Sequence, residues 1–330
     1  MTHDTSGPAP RRGQERFVAP VEETPLQAVD AVDTDSAPTS VWRDAWVSLR
    51  RNPLFIVSAI LIIFLMVVIA FPTLFTSVDP TRCEIKQSLA PAEAGHIFGY
   101  NSQGCDVFAR VVYGTRASVA VGVITTLIVV LVGGVLGALA GFFGGWVDAL
   151  FSRLTDIFFA IPLVLAAIVI LQVLKNSGPD SEGFWISVAP VILALALFGW
   201  PQIARIMRGA VLSVKNAEYV DAATAIGATR RRNLVRHVVP NSLAPVIVTA
   251  TVSLGIFIVA ESTLSFLGLG LPTNIVSWGA DIAQAQSLIR GGDHLGVLFY
   301  PAGALALTVL SFILLGDAVR DALDPKARKR

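Results

Sequence analysis

Six long stretches of this chain contain no charged residue, and they constrain its fold more than any other feature. Each stretch approaches or exceeds the roughly 20 residues that a helix needs to cross a bilayer. Only 15% of the 330 residues are charged, against about 25% in soluble domains. The sequence therefore predicts an all-α integral membrane protein with six transmembrane helices, along Leu54–Val78, Ala117–Val147, Ile157–Leu174, Gly183–Ala204, Val238–Ala260 and Leu295–Gly316.

Lysine and arginine are distributed unevenly between the ends of these stretches. Because cytoplasmic flanks carry the excess of basic residues, we expect both termini in the cytoplasm. A further uncharged run, Ser262–Ala280, is interrupted by glycine, proline and asparagine, so we expect a turn and a short external or re-entrant helix instead of a seventh span. The basic residues left outside would then be Arg82, Lys86, Arg110, Arg116, Lys175 and Arg290.

The parts of the chain outside the core have their own signals. Residues 1–40 are rich in Pro, Thr, Ser, Asp and Glu, which predicts a disordered cytoplasmic tail. Residues 41–53, with Trp42 and Trp46 four positions apart, are expected to form an interfacial amphipathic helix. The predicted order continues with a first span at 54–78, an external loop at 79–116, a five-span core at 117–319 that includes a cytoplasmic helix near 216–228, and a basic cytoplasmic tail at 320–330.

Both cysteines, Cys83 and Cys105, lie in the predicted external loop. In an oxidising compartment, two cysteines in one loop favour a disulfide. Two unpaired thiols are the alternative, and that alternative would gain weight if the loop faced a reducing space.

Glycines and prolines interrupt the apolar stretches at specific places. Gly133, Gly137 and Gly141 recur every four residues and predict the close approach of another helix, either within this chain or from another subunit. Kinks or broken hydrogen bonding are expected at Pro162, Pro190, Pro201 and Pro301.

The sequence contains no evident catalytic or ion-coupling machinery. Asp156 and Glu261 lie at the ends of spans and are expected to be interfacial, whereas an ion-coupled carrier would use carboxylates near the bilayer midplane. No Cys/His cluster has metal-ligand spacing, and no GxxxxGK[ST] loop is present, so any work driven by ATP must be done by a partner. The net charge of +1 gives no indication of a nucleic-acid partner.

The segment between the fourth and fifth predicted spans is polar and helix-forming. Asn216 is placed to cap a helix, Glu218 suits its first turn, and Gly227 is placed to end it in a left-handed conformation. Such a short helix is marginal alone and needs a groove to pack into. A basic run, Arg230–Arg232 with Arg236, suits lipid headgroups or acidic groups of a partner protein. One face of the helix would carry Tyr219, Ala222, Ala223 and Ile226.

The same segment resembles the E-A-A-x3-G-x9-I-x-L-P signature of ABC importer permeases. Asp221, Ala222, Ala223, Gly227 and Pro240 occupy that pattern, and Asp, His and Val replace its Glu, Ile and Leu. The form EYVxAAxxxGA with RHxxPN is similar to the dipeptide and oligopeptide branch. The start VWRDAWVSLRRNPLFIVSAILI resembles the N-terminal module of the second permease of that branch, and ESTLSFLGLGLP and GDAVRDALDPKARKR resemble its later segments. The outer segment HIFGYNSQGCDVFARVVYGTRASV departs from the branch's pattern at Tyr100, Asn101 and Cys105.

This resemblance implies a six-helix type I permease fold in a bacterial cell membrane. It implies a permease subunit for di- or oligopeptides, or for another cargo such as nickel, that forms half of the pathway. The implied partners are a homologous second permease, two ATPase subunits or a fused ATPase, an extracytoplasmic substrate-binding protein and membrane lipids; ATP and magnesium would belong to the ATPase, and no cofactor to this chain. A self-sufficient secondary carrier or channel is the alternative. The residues implied to couple to the ATPase are Glu218, Tyr219, Asp221, Ala222, Ala223, Ile226 and Gly227, with Arg230 and Arg231 at the rim.

Overall fold

The structure is a computed structural model that describes residues 41–177, 183–290 and 294–323. The predicted tail at 1–40 and residues 324–330 of the predicted basic tail lie outside the described residues. The chain divides between Arg43 and Asp44, and the contacts below belong to the unit that begins at Asp44.

The described residues are almost entirely helical. Short 3-10 turns lie at Pro72–Leu74, Ile85–Gln87 and Gln286–Arg290, and a π turn at Leu234–Val238 joins two of the helices. The helices in chain order are α1 (Val41–Leu49), α2 (Pro53–Ala70), α3 (Val107–Phe143), α4 (Gly145–Phe159), α5 (Leu163–Ser177), α6 (Phe184–Val214), α7 (Glu218–Ala225), α8 (Arg230–Asn233), α9 (Val239–Phe266), α10 (Trp278–Ala285) and α11 (Gly296–Leu323).

Five of the described helical segments are long and apolar enough to cross a membrane: α2, α3, α6, α11, and the run from α8 through α9. The third predicted span differs, because α4 and the first part of α5 are bent by 83°. Pro162 lies at that break, where it disfavours helical conformation of the residue before it. The two helices make a sixth span if the bent pair counts as one. The predicted all-α membrane fold is confirmed, with a broken third span.

The helix bounds differ from the predicted spans, and the first two spans show the difference most clearly. The first span ends at Ala70 instead of 78, and α3 begins at Val107, well before Ala117. Asp106 explains the early start of α3, because its carboxylate accepts a hydrogen bond from the amide of Ala109 and caps the helix. The segment between the two helices is therefore 71–106, nearly as long as the predicted external loop at 79–116 but shifted toward the N-terminus, and the last part of the predicted loop is helical.

The glycines of α3 allow it to pack closely on α6 within this chain. A Cβ atom at Gly133 would lie 2.6 Å from the carbonyl oxygen of Trp200, and one at Gly137 would overlap the carbonyl of Ala204. Gly141 meets Arg208 and Val211 in the same way. Of the two predicted uses of this stripe, the structure therefore shows the one within the chain.

α3 also defines the two ends of the bundle. Its 37 residues span about 55 Å. At its start, the main-chain carbonyl of Val111 accepts a hydrogen bond from Trp278 of α10. Near its end, the carbonyl of Gly141 accepts one from Lys215, three residues before α7. We call these the disulfide end, after Cys83 and Cys105, and the α7 end.

Candidate functional site

The helix α7 ends at a glycine in the left-handed conformation. Gly227 has a φ of +92°, its amide donates to the carbonyl of Thr224, and the amide of Ala228 donates to that of Ala223. These two bonds form a Schellman motif, in which glycine fits the left-handed conformation without strain. The predicted role of Gly227 as the helix terminator is confirmed.

The predicted cap at the start of α7 is wrong. Ala217 occupies the capping position, in an extended conformation and without a side-chain bond. Asn216 instead donates a hydrogen bond back to the carbonyl of Leu212. Because α6 continues almost to this point, its last turn competes for the asparagine side chain.

One side of α7 faces the protein and the other side is exposed. Val220 and Ala223 are buried, and Val220 belongs to the main apolar core. Tyr219 and Ile226 are 47% and 88% exposed, and Ala222 is exposed beside them. The prediction that Ala223 shares this exposed face is therefore wrong: three residues after Val220, it lies on the inward side. The exposed acidic groups of α7 are Glu218 and Asp221.

The short helix α8, in the segment that follows α7, is hydrogen-bonded to α7. Thr229 caps α8 by accepting a hydrogen bond from the amide of Arg232. Asn233, which is buried, donates to the hydroxyl of Thr224 on α7 over 2.8 Å. Arg230 and Arg231 remain exposed beside α7. Sequence patterns did not indicate the bond between Asn233 and Thr224, because neither residue belongs to the signature of the segment.

Ion pairs connect α6, which leads into α7, to α4. The guanidinium of Arg208 binds both carboxylate oxygens of Asp148, and its Nη2 lies 2.8 Å from Oδ2. Arg205 pairs more loosely with Asp156 over 3.4 Å, and both of these side chains are more than half exposed. Asp156 is thus exposed, and its predicted position at the membrane interface stays a prediction. Sequence reasoning missed the Asp148–Arg208 pair, since nothing along the chain links residues 60 positions apart.

At the disulfide end, a disulfide closes the segment before α3, and an ion pair joins the start of α3 to α10. Cys83 and Cys105 are joined by a disulfide with an S–S distance of 2.01 Å. Arg110 and Asp281 form an ion pair over 2.6 Å that is 9% exposed on each side. Burial raises the pKa of Asp281, and the positive charge of Arg110 opposes that rise. This end of the bundle is therefore a cross-linked cap.

Glu261 is the main departure from the predicted positions of charged residues. It was expected at the membrane interface, but its side chain is completely buried. Its carboxylate accepts hydrogen bonds from the hydroxyls of Ser262 and Ser265. The reason is tertiary: α10 folds back so that Gly279 packs directly against the backbone of Ser262 and covers the end of α9.

The described residues contain no group of three or more His, Cys, Asp or Glu side chains that could hold a metal ion. What the α7 end offers is a contact surface: an anchored short helix with an exposed apolar side, acidic groups in its first turn and basic groups after it. Such a surface suits docking to another protein.

Family comparisons agree with this architecture. Residues 133–329 match the family described as binding-protein-dependent transport system inner membrane component, and residues 40–93 match the N-terminal TM domain of oligopeptide transport permease C. The first match covers more than half of the chain, so the protein belongs to this family of inner-membrane permease components. It is a multi-pass permease subunit of the ABC importer type.

Individual relatives match over nearly their whole length. The chain is 34% identical to the oligopeptide transport system permease protein OppC of Bacillus subtilis, over 93% of this chain and 97% of that protein. It is 36% identical to the dipeptide transport system permease protein DppC of the same organism, over 88% and 87%. It is also 36% identical to the glutathione transport system permease protein GsiD of Escherichia coli, over 92% and 96%. These relatives favour a permease subunit over a self-sufficient carrier or channel.

Proposed function

We propose that this chain is one of two permease subunits of an ATP-driven importer of dipeptides or oligopeptides, and that α7 docks into a separate ATPase subunit. The observation that carries the proposal is the exposed apolar side of α7, formed by Tyr219, Ala222 and Ile226. An eight-residue helix that is anchored on one side and apolar on the other is suited to a groove in a partner.

The charges around α7 favour a protein partner over the membrane surface. Glu218 and Asp221 are exposed on the helix, and anionic headgroups would repel them. Basic groups lining a protein groove would complement them, with Arg230 and Arg231 as contacts at the rim. Because ATP is found in the cytoplasm, this docking places α7 and both termini there, and the disulfide end outside.

The contacts of α7 define how movement would pass into the membrane. The ATPase dimer closes on binding ATP and displaces α7 together with α6. Since Arg208 binds Asp148 and Lys215 binds Gly141, the ends of α4 and α3 move with them. The two permeases would thereby exchange inward-facing and outward-facing pathways.

The remaining parts of the complex follow from this role. The partners are a homologous second permease, two ATPase subunits or a fused ATPase, an extracytoplasmic substrate-binding protein and membrane lipids. ATP and magnesium bind to the ATPase, and this chain is a non-catalytic subunit without a cofactor. The peptide cargo is proposed from the oligopeptide, dipeptide and glutathione permeases that the chain resembles.

A matched pair of glycine substitutions tests the docking. Gly268 ends α9 at the disulfide end with a φ of +74° and the same two Schellman bonds that Gly227 makes, and at both positions an added Cβ would contact nothing within 4 Å. Gly227→Ala and Gly268→Ala therefore impose comparable backbone strain at opposite ends of the protein. Each variant is co-expressed with its partner subunits and purified.

We expect Gly227→Ala to release most of the ATPase and to lose peptide uptake, while the permease still inserts into the membrane. Gly268→Ala should retain the ATPase. Equal retention of the ATPase by the two variants would overturn the docking proposal.

A further inference from the structure

An apolar groove of about 440 Å³ lies between α2, α3 and α11, on the side of the bundle nearer the disulfide end. Every side chain that lines it is uncharged. Aromatic and aliphatic groups form most of its surface, among them Phe64, Val68, Phe108, Val111, Tyr300 and Leu307. The N-terminal helix α2, which also packs on α11 and α3, forms one wall of the groove.

Most polar groups at the groove are already engaged elsewhere. The hydroxyls of Thr115 and Ser311 donate to carbonyls of their own helices, and the indole N–H of Trp278 donates to Val111. Thr308 differs from these residues, because its buried Oγ1 has no hydrogen-bond partner. The groove therefore offers an almost wholly apolar surface to whatever occupies it.

An apolar groove of this size on a surface that faces the membrane is normally filled. Protein interiors pack as densely as organic crystals, and apolar cavities do not attract water. The helices around the groove present exposed apolar side chains, such as Ile63 and Leu307, to the surrounding membrane. Hydrocarbon is the apolar material that a bilayer supplies at this position.

The length and the ends of the groove match a single lipid tail. Along α11 it extends from Phe299 to Ser311, about 18 Å at the rise of an α-helix. One leaflet provides about 15 Å of hydrocarbon, half of the usual thickness. Trp278 and Tyr300 line the end nearer the disulfide, and amphipathic aromatic rings of this kind favour the depth of the headgroups.

We propose that this groove binds one acyl chain of a phospholipid from the leaflet at the disulfide end, and that the bound chain fastens α2 to α3 and α11. The site is distinct from the annular lipid that contacts the exposed outer side of α2, where Ile60 and Ile63 are more than 60% exposed. It does not depend on the docking of α7.

Gly303 provides a substitution that fills the groove without disturbing the protein. It lines the groove on α11, and a Cβ added there would meet nothing within 4 Å. Gly134 on α3 is the matched control, because it is also a helical glycine with nothing within 4 Å but does not line the groove. Gly303→Leu and Gly134→Leu therefore add the same side chain to a helix, inside and outside the site.

The experiment uses the permease in its assembled complex, in nanodiscs that contain a phospholipid with a diazirine near the middle of one acyl chain. After illumination, mass spectrometry locates the lipid adducts. We expect adducts in the wild-type protein to concentrate on Val68, Phe108 and Val112, which line the groove and are not exposed to the surrounding lipid, to fall at least tenfold in Gly303→Leu, and to persist in Gly134→Leu. Adducts that are as frequent on Ile60 and Ile63 as in the groove would show annular lipid only and overturn the proposal.

Two further measurements identify the occupant. Thr308→Val removes the unpartnered hydroxyl. The variant should retain an acyl chain equally or better, because an acyl chain has no group that could hydrogen-bond to that hydroxyl. Weaker retention would indicate a ligand with a polar tip and contradict an acyl chain. A photoreactive amino acid at position 303 should cross-link to lipid; a cross-link to another protein chain would also overturn the proposal.

Discussion

Truncation of Ile226 gives the most direct quantitative test of the contact surface on α7. Its side chain is 88% exposed, so nearly all of its apolar surface is available for burial in a partner. The substitution Ile226→Ala removes three carbon atoms, worth about 2 kcal/mol if docking buries them, at ~0.8 kcal/mol per methylene. At about 1.4 kcal/mol for each tenfold change, this corresponds to a roughly 30-fold loss of affinity for the ATPase.

The assay titrates purified ATPase subunits onto the permease in nanodiscs and measures the apparent Kd. Val235→Ala is the matched control, since Val235 is an aliphatic residue on the neighbouring π turn and is 63% exposed. Because both side chains are exposed, neither truncation should lower the thermal stability of the isolated permease. A change of less than about threefold for Ile226→Ala, or an equal loss for Val235→Ala, would refute the reasoning.

The remaining predictions concern packing and alkaline stability. Gly137→Ala should destabilise the permease by about 1–3 kcal/mol, because the added Cβ overlaps the carbonyl of Ala204. Gly134→Ala should be tolerated, because its Cβ meets nothing within 4 Å. Denaturant unfolding in detergent measures the stability of both variants, and equal stability would contradict the close packing of α3 on α6. Burial, together with a hydrogen bond to Glu93, raises the pKa of Tyr100 to about 12 from its usual 10.0. The folded state therefore holds this proton more tightly than the unfolded state, so the stability it contributes is present below pH 10 and is lost as the pH rises toward 12. In thermal melts between pH 9 and 12, Tyr100→Phe should remove the loss of stability that the wild-type protein shows as the pH rises. At lower pH the variant should be less stable by about 1 kcal/mol, because it lacks the hydrogen bond to Glu93. If the stability of both proteins falls equally with pH in this range, the reasoning is contradicted.

The sequence determined most local features of α7 and its ends. Gly227 ends α7 as predicted, because a glycine after a short helical pattern readily adopts the left-handed conformation. The exposed positions of Tyr219 and Ile226 also follow from helical spacing. Ala223 and Asn216 were misplaced, because the adjoining core and the last turn of α6 decide which way those side chains turn.

For the fold as a whole, the sequence also predicted some features and missed others. Hydrophobic length alone identified the membrane class, because a helix must satisfy its backbone within the bilayer wherever it crosses. Pro162 predicted the break in the third span, but hydrophobic length did not reveal that the two helices there are bent by 83°. A run of apolar residues carries no information about the angle between two successive helices.

What the sequence determined by itself is therefore the all-α membrane class, the location of the short helix α7 and the family. Tertiary structure alone decided the burial of Glu261, the pairing of Asp148 with Arg208, and the groove between α2, α3 and α11. The physical reason is the separation along the chain of the residues that interact. Helix formation and membrane insertion depend on neighbouring residues, whereas burial, ion pairing and cavities depend on which distant segments the fold brings together.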